Sequence, residues 1–298
     1  MAEKKPSKPR VKRAPAKKQN APTFSAEDIL RAILAGLGGS DHAGEIVPRL
    51  LDQSLTPHEV LRELASRSEF ERLYKLARTS DIMESGRVEA DYGYVGLPPE
   101  AREMSFQEGF ETIIKPRLAH RVESFAVMFE ALRSFHAPLI LETGCLRVPN
   151  NWDGDGQSTF QFDWFARDHQ GEVISIDINP DSIESARRAC SGATSLILND
   201  SVASLHMLAQ RCARPAALIY LDSFDLDHAN PTPSAIHHAM ELAAVRPLIG
   251  PGTLICVDDF NVEGVGPGGK GLVVDQFMNA IRAEVLYSGY QKIWRFPG

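Results

Sequence analysis

No two of the four cysteines, Cys145, Cys190, Cys212 and Cys256, stand at the C-x-x-C spacing of a thiolate metal site or a redox pair. They lie in apolar or helix-like runs, so neither a disulfide framework nor a zinc centre is indicated, and a reducing compartment is expected. No apolar run approaches the roughly 18 residues of a membrane span. The first residues also lack the apolar segment of a secretory signal, so the expectation is a cytoplasmic protein with no membrane span. A G-x-G-x-x-G turn is missing as well. Only Gly154-Asp155-Gly156 comes near it, too late after the first strand-like run and without a third glycine, which argues against a dinucleotide dehydrogenase.

Positive charge is scarce outside one stretch. The net charge is −7, yet residues 1–23 hold eight Lys/Arg against the single Glu3, so this stretch carries about +7 and the rest about −14. Its Lys/Pro/Ala composition offers too little apolar surface to offset ordering entropy, and a disordered basic tail is expected. Such a tail serves either as a solubilising extension or as a salt-sensitive docking segment for an anionic partner such as nucleic acid, glycan or a membrane surface.

What is present suffices for one full catalytic domain and a smaller appendage, in 298 residues of which 43% are hydrophobic. Residues 24–80 read as a small helical module. Ser25 with Asp28 looks like a capping box before Ile29, Ile33 and Leu37 at helical spacing, and Thr56-Pro57-His58-Glu59 repeats the start signal. The line closing in "SRSEFERLY" resembles a short helical module of unknown function attached to bacterial glycan-modifying enzymes and secreted repeat proteins. A packing appendage or a homo-oligomerisation surface is an equal reading. Residues 81–116, with "DYGYVGLPPEA", read as a connector, and residues 117–298 as the main domain. Its entry is a helix within 118–135 that places Phe125, Met128, Phe129 and Leu132 on one face.

Beyond it, apolar runs alternate with helical runs, from "PLILETG" through "EVISIDIN", "SLILND" and "ALIYLD" to "GTLICVDD". That alternation predicts an α/β fold with parallel strands joined by helical crossovers. The closing "AEVLYSGYQKIWRFPG" predicts an antiparallel hairpin about its Ser-Gly turn. Ligands of such sheets bind beyond the carboxyl ends of the strands. There the runs end in Glu142-Thr143-Gly144, Asp177, Asp200-Ser201, Asp222 and Asp258-Asp259. Any one of these acids is ordinarily a solvated loop residue or a helix cap, and Asp200 is placed to cap the next helix.

An acid ending the second strand accepts hydrogen bonds from ribose hydroxyls and follows the glycine turn by about twenty residues. Here Gly144 and Asp177 are 33 positions apart, and removing the ten residues Leu146 to Asp155 leaves 23. The junction is therefore read as ordinary with a loop inserted, after which Gly156 and "QSTF" resume the turn and Ser158 or Thr159 caps the first crossover helix. The inserted "RVPNNWDGDG" suits carbohydrate contact through Trp152 and its polar neighbours, or serves only as a lid over the cleft.

On "LETGC", "SIDIN", "LDSFD", "ICVDDF" and "GGKGLVVDQF", residues 117–298 resemble the class I S-adenosylmethionine-dependent methyltransferases. Within them the likeness is to the group near macrocin O-methyltransferase and the catechol-type, metal-dependent O-methyltransferases. The resemblance implies a Rossmann-like methyltransferase sheet with a C-terminal hairpin. It implies Glu142, Gly144 and Gly156 along the methionine end of S-adenosylmethionine, Asp177 on the ribose, and Asp200 with Ser201 near adenine. Cys145-Leu146-Arg147 depart from the small residue this group carries soon after its first glycine. The related metal-dependent enzymes place ligands at the fourth and fifth strand ends, which here implies Asp222, Asp258 and Asp259.

An all-carboxylate set suits Mg²⁺, which would activate an acceptor hydroxyl as a Lewis acid. Asp225 and Asp227 are fallback ligands. Asp222 stands at the reacting edge, while His228 and Lys270 are candidate bases, each with an alternative as a loop histidine or an ion-pairing lysine. His237 and His238 sit adjacent on a helical run and are read as structural. The expectation is an O-methyltransferase acting on a small-molecule or glycan acceptor. The alternatives are a non-catalytic glycan-associated binding protein of the same fold and a related hydroxylase-like enzyme.

Overall fold

The computed structural model describes residues 89–298. The expected basic tail and helical module lie outside the described residues. Residues 89–298 belong to one compact unit.

Five apolar runs form parallel strands: β1 (Leu139–Thr143), β2 (Glu172–Asp177), β3 (Thr194–Leu198), β4 (Leu218–Leu221) and β5 (Leu254–Val257). Two two-residue strands, β6 (Asn261–Val262) and β7 (Gly266–Pro267), pair with each other after β5. The closing hairpin is β8 (Glu284–Ser288) and β9 (Lys292–Arg295). The main sheet has seven strands in the order β3-β2-β1-β4-β5-β9-β8, with β9 antiparallel to β5. Every residue of β1, β4 and β5 is buried, as continuous apolar runs covered on both faces require.

The helices are α1 (Phe106–Gly109), α2 (Val122–Leu132), α3 (Trp152–Asp155), α4 (Ser158–Asp168), α5 (Pro180–Ala189), α6 (Ser201–Arg211), α7 (Thr232–Val245) and α8 (Leu272–Ala280). Side-chain caps start several of them. Asn179 accepts from the Asp181 amide with Pro180 at the first position of α5, and Asp200 accepts from the Ala203 amide at 2.8 Å to cap α6. The expected face of α2, with Phe125, Met128, Phe129 and Leu132, is buried.

The core divides between two faces. One is aromatic, joining Phe129 of α2 to Phe160, Phe162, Trp164 and Phe165 of α4, and the other is aliphatic, built on Leu205, Leu242, Val274 and Met278 of α6, α7 and α8. The aromatic face corrects the expected connector. Tyr92, Val95, Phe106, Phe110 and Ile114 are buried in it, and Phe106 lies edge-on to Phe129 with ring centroids 4.5 Å apart. Any side chain at Gly109 would overlap the Trp164 ring. Residues 89–116 are thus core of the main domain. Their Gly and Pro punctuation reflects short turns of helix that pack tightly, such as the four-residue α1.

The inserted stretch is corrected too. It is an ordered bridge carrying α3, and Gln157 pins it by accepting from the Asn150 amide and donating to the Val148 carbonyl. Ser158 and Thr159 do not cap α4. The Ser158 hydroxyl donates to Glu142, and the Thr159 hydroxyl accepts from the Leu146 amide at 2.9 Å. Among the described residues, no helix is long and apolar enough to cross a membrane.

Candidate functional site

The chain reverses its direction across the sheet between β1 and β4, and a cleft of about 330 Å³ opens beside that point at the carboxyl ends of the strands. Asp177, Asp200 and Ser201, predicted from the sequence, line it together with Ile176, Ile178, Ser223, Phe224 and His237. Asp177 is held at the rim by two backbone amides, Cys145 onto one carboxylate oxygen at 2.9 Å and Asn179 onto the other at 2.7 Å. A carboxylate oxygen has capacity for a second donor, so Asp177 keeps acceptors for a ligand.

Ile178 and Phe224 are large apolar side chains left 73% and 46% exposed at this rim. Ser201 and His237 form its polar edge, with the hydroxyl 3.0 Å from Nε2. His237 also faces buried Glu241, whose hydrogen bond and charge raise the imidazole's pKa. Glu241 in turn takes hydroxyl donors from Thr143 at 3.2 Å and Ser223 at 2.6 Å. Ile178, Phe224 and His237 were missed as site residues. The alternation of apolar runs located the strand ends, but only the fold shows which side chain of α7 looks into the cleft. His238, its neighbour, is buried, and burial lowers its pKa to about 4.

The residues expected at the methionine end make structural contacts of their own. Glu142 is wholly enclosed, and both its oxygens accept hydroxyls, from Ser158 and Ser175. Burial pushes its carboxyl up to about 7 despite those donors. Gly144 has φ 78°, and a side chain there would overlap the Asp222 carbonyl, so this glycine serves the close approach of β1 to β4. Gly156, at φ 67°, ends α3 and lies against Arg121 and Phe125. Trp152 is buried, and its indole N–H donates to the Val95 carbonyl at 2.7 Å, which removes it as a stacking platform for sugar.

Next to the cleft, one residue back from Ser223, lies a second grouping. Asp222, Asp258 and Asp259 converge as expected, with one carboxylate oxygen from each lying within 4.8 Å of the others. They already hold two cations. The Arg121 guanidinium grips Asp258, Nε to Oδ1 at 3.2 Å and Nη2 to Oδ2 at 2.8 Å, and Gln291 donates to Oδ1 at 2.9 Å. Burial would raise the Asp258 carboxyl, but the Arg121 charge outweighs it and holds the group down at about 2.

The Lys270 ammonium, only 2% exposed, bridges Asp222 and Asp259, lying 3.1 Å from the Asp259 Oδ2. Tyr290 donates its hydroxyl to the other Asp259 oxygen and lies under Arg121, 4.7 Å from guanidinium carbon to ring centroid. Burial together with Asp258 and Asp259 raises the Asp222 pKa well above the ordinary carboxylate value, against the pull of Lys270.

The donor set therefore does not fit Mg²⁺. Each oxygen of Asp258 already takes two donors, and an ammonium stands between the other two acids. Lys270 is corrected as a base, because burial is outweighed by three carboxylates that raise its pKa and keep it protonated. His228 lies exposed on the loop after β4, and Asp225, a fallback ligand, pairs instead with Arg147 at 2.9 Å. Asp227 is exposed and accepts from the Ala229 amide at 2.9 Å.

No family model matches the sequence, and no curated protein does. Among solved structures the chain is similar to the MycE methyltransferase of the mycinamycin biosynthetic pathway, in complex with Mg and SAH, with 17% identity and a TM-score of 0.43. That match covers 67% of this chain and 55% of MycE, so the chain spans about half of MycE's length. It is also similar to an O-methyltransferase from Bacillus cereus in complex with SAH, at 17% identity and TM-score 0.42, covering 69% and 94% of the two chains. A third is the SAH-bound Podospora anserina methyltransferase PaMTH1, at 17% identity and TM-score 0.43, covering 78% and 97%. The strand order itself, with five parallel strands and a closing antiparallel hairpin, decides the architecture. It is the Rossmann-like sheet with a C-terminal hairpin that the sequence resemblance implies.

Proposed function

We propose that the chain is an S-adenosylmethionine-dependent O-methyltransferase whose acceptor is a hydroxyl of a sugar or glycosylated small molecule. One observation carries this reading. The rim carboxylate Asp177 and the acid grouping at Asp222 share a continuous edge, because Ser223 lines the cleft and Asp222 is its neighbour.

Asp177 accepts the ribose hydroxyls, while Ile178 and Phe224 offer apolar faces to adenine and Ser201 with His237 a polar edge. Glu142 positions rather than binds, holding Ser158 and Ser175 so that the bridge from Leu146 to Gln157 stays in place. When bound, S-adenosylmethionine would supply an electrophilic methyl group on a sulfonium, from which the acceptor oxygen would displace S-adenosylhomocysteine in line. Orientation is the main task of the protein in such a transfer.

Asp222 is the proton acceptor in this reading. As the O–CH₃ bond forms and the S–CH₃ bond breaks, the hydroxyl proton passes to its carboxylate, which burial and the neighbouring acids make more basic than usual. Lys270 holds Asp222 in position. The divalent ion expected from the sequence takes no part, since the residues do not fit it.

The test is calorimetric titration with S-adenosylmethionine, followed by a mass-spectrometric screen of sugar nucleotides and glycosylated small molecules for added methyl. Asp177→Ala is expected to weaken cofactor binding by about 2 kcal/mol, or roughly thirtyfold, as loss of hydrogen bonds to a charged group does. Wild-type protein that takes up no S-adenosylmethionine would end this reading.

A further inference from the structure

We infer that the Lys270 ammonium is the built-in cation of the strand-end acids, so that Asp222, Asp258 and Asp259 take no divalent metal ion. The inference concerns the same edge as the proposed function, but its physical content is independent of methyl transfer.

Three carboxylates with oxygens within 4.8 Å of one another require positive charge between them. Arg121 and Lys270 supply it, leaving the group of five with a net charge of −1 when all are ionised. Replacing Lys270 by a divalent ion would bring the same group to neutrality, whereas adding the ion beside Lys270 would leave it at +1. Ammonium and metal are therefore alternatives for one position.

Asp258 is not available for exchange while Arg121 stays paired with it. For Asp258 to ligate an ion it must release Arg121, which is 5% exposed and whose Nη1 is already committed to the Gly154 carbonyl at 2.8 Å. That would leave a buried guanidinium without its counter-ion, a costly state. Asp259 is held by Tyr290 on one oxygen and Lys270 on the other.

Lys270 itself has no route out. A side chain at Gly269 would overlap the Asp259 carbonyl, and one at Gly271 would press on the Phe260 ring 2.7 Å away. The two glycines thus let the "GKG" turn lie flat against the end of β5, with the Lys270 amide 3.3 Å from the Asp259 carbonyl. The backbone is fixed at the root of the side chain, and the ammonium is enclosed by the acids it neutralises.

Mn²⁺ titration of the full chain, followed by electron paramagnetic resonance of the free ion, tests this with and without S-adenosylmethionine. The wild type is expected to take up no stoichiometric Mn²⁺. Lys270→Ala, which strips the ammonium from Asp222 and from one oxygen of Asp259, is expected to bind one Mn²⁺ at least about tenfold more tightly than wild type, as an added oxygen-ligand site would. Lys270→Arg, which keeps the charge, is expected to behave as wild type.

One equivalent of Mn²⁺ bound by wild type overturns the inference. So does a folded Lys270→Ala that gains no ion. If that variant does not fold, the wild-type titration decides alone. Because the readout is the ion and not product, a chain that binds S-adenosylmethionine and also Mn²⁺ would refute the built-in cation while leaving the proposed function standing.

Discussion

The two halves of the strand-end edge are written in the same residue type and solved in opposite ways. At β2 and β3, Asp177 and Asp200 are held by backbone: Asp177 accepts the Cys145 and Asn179 amides, Asp200 accepts the Ala203 amide, and each stays at the surface of the cleft. At β4 and β5, Asp222, Asp258 and Asp259 are drawn together and mostly enclosed, and they are neutralised by side chains from elsewhere in the chain. Amide-held acids keep lone pairs free for an incoming ligand. Ion-paired acids have fewer to offer, and their arrangement depends on the cation between them. In the proposed function the first half binds, and the second positions and takes the proton.

Removing the cation from the second half is the strongest way to test this contrast. Arg121→Met leaves Asp258 buried without its partner and is expected to destabilise the fold by about 3–5 kcal/mol, read as a fall in the urea midpoint. Coupling it to Asp258→Leu should recover much of that loss, since the pair then leaves together. A double variant no better than the single would mean that Arg121 acts through its hydrogen bonds to the Asp153 and Gly154 carbonyls at 3.4 and 2.8 Å, and not through Asp258.

Arg121 also marks the limit of what the sequence reveals. Strand-end acids are legible because an apolar run that stops at Asp is a local pattern, and so are the crossover helices and the final hairpin. The pairing of Arg121 with Asp258 spans 137 positions and leaves no local trace. Lys270 was legible either as a base or as an ion-pairing lysine, but the choice between them follows only from its enclosed place between Asp222 and Asp259. Residues 89–116 misled for a related reason. Composition records the turns of this segment, while the burial of Phe106 and Phe110 depends on α2 and α4, which meet it from later in the chain. Trp152 looked like a ligand platform because its neighbours are polar, yet the Val95 carbonyl claims its indole.

Glu142 sharpens the comparison from a third position, an acid that has neither amides nor a cation. With only hydroxyl donors it is raised from 4.5 to about 7. The folded state therefore holds its proton more tightly than the unfolded chain, and this contribution is fully present below 4.5 and lost as pH rises through about 7. At full loss it amounts to roughly 3 kcal/mol. Glu142→Gln removes the titration, so its stability should change less between pH 5 and pH 8 than that of wild type, as followed by thermal unfolding at a series of pH values. Parallel curves would show that Glu142 is ionised and compensated in the fold by a group other than Ser158 and Ser175.

The smallest expected effect separates binding from capping within the first half. Asp200 caps α6 and lines the cleft, and the two roles respond to different substitutions. Asp200→Ala loses the cap and is expected to cost about 1 kcal/mol of stability, whereas Asp200→Asn preserves the accepting oxygen and should unfold close to wild type. Calorimetry on the Asn variant then isolates the charge. If Asp200 only shapes the wall of the cleft, S-adenosylmethionine binds both variants nearly as well as wild type once they are folded. If the carboxylate accepts a donor of the ligand, the Asn variant weakens binding with its stability intact, and Asp200 joins Asp177 as an acid whose backbone partners leave it free to bind.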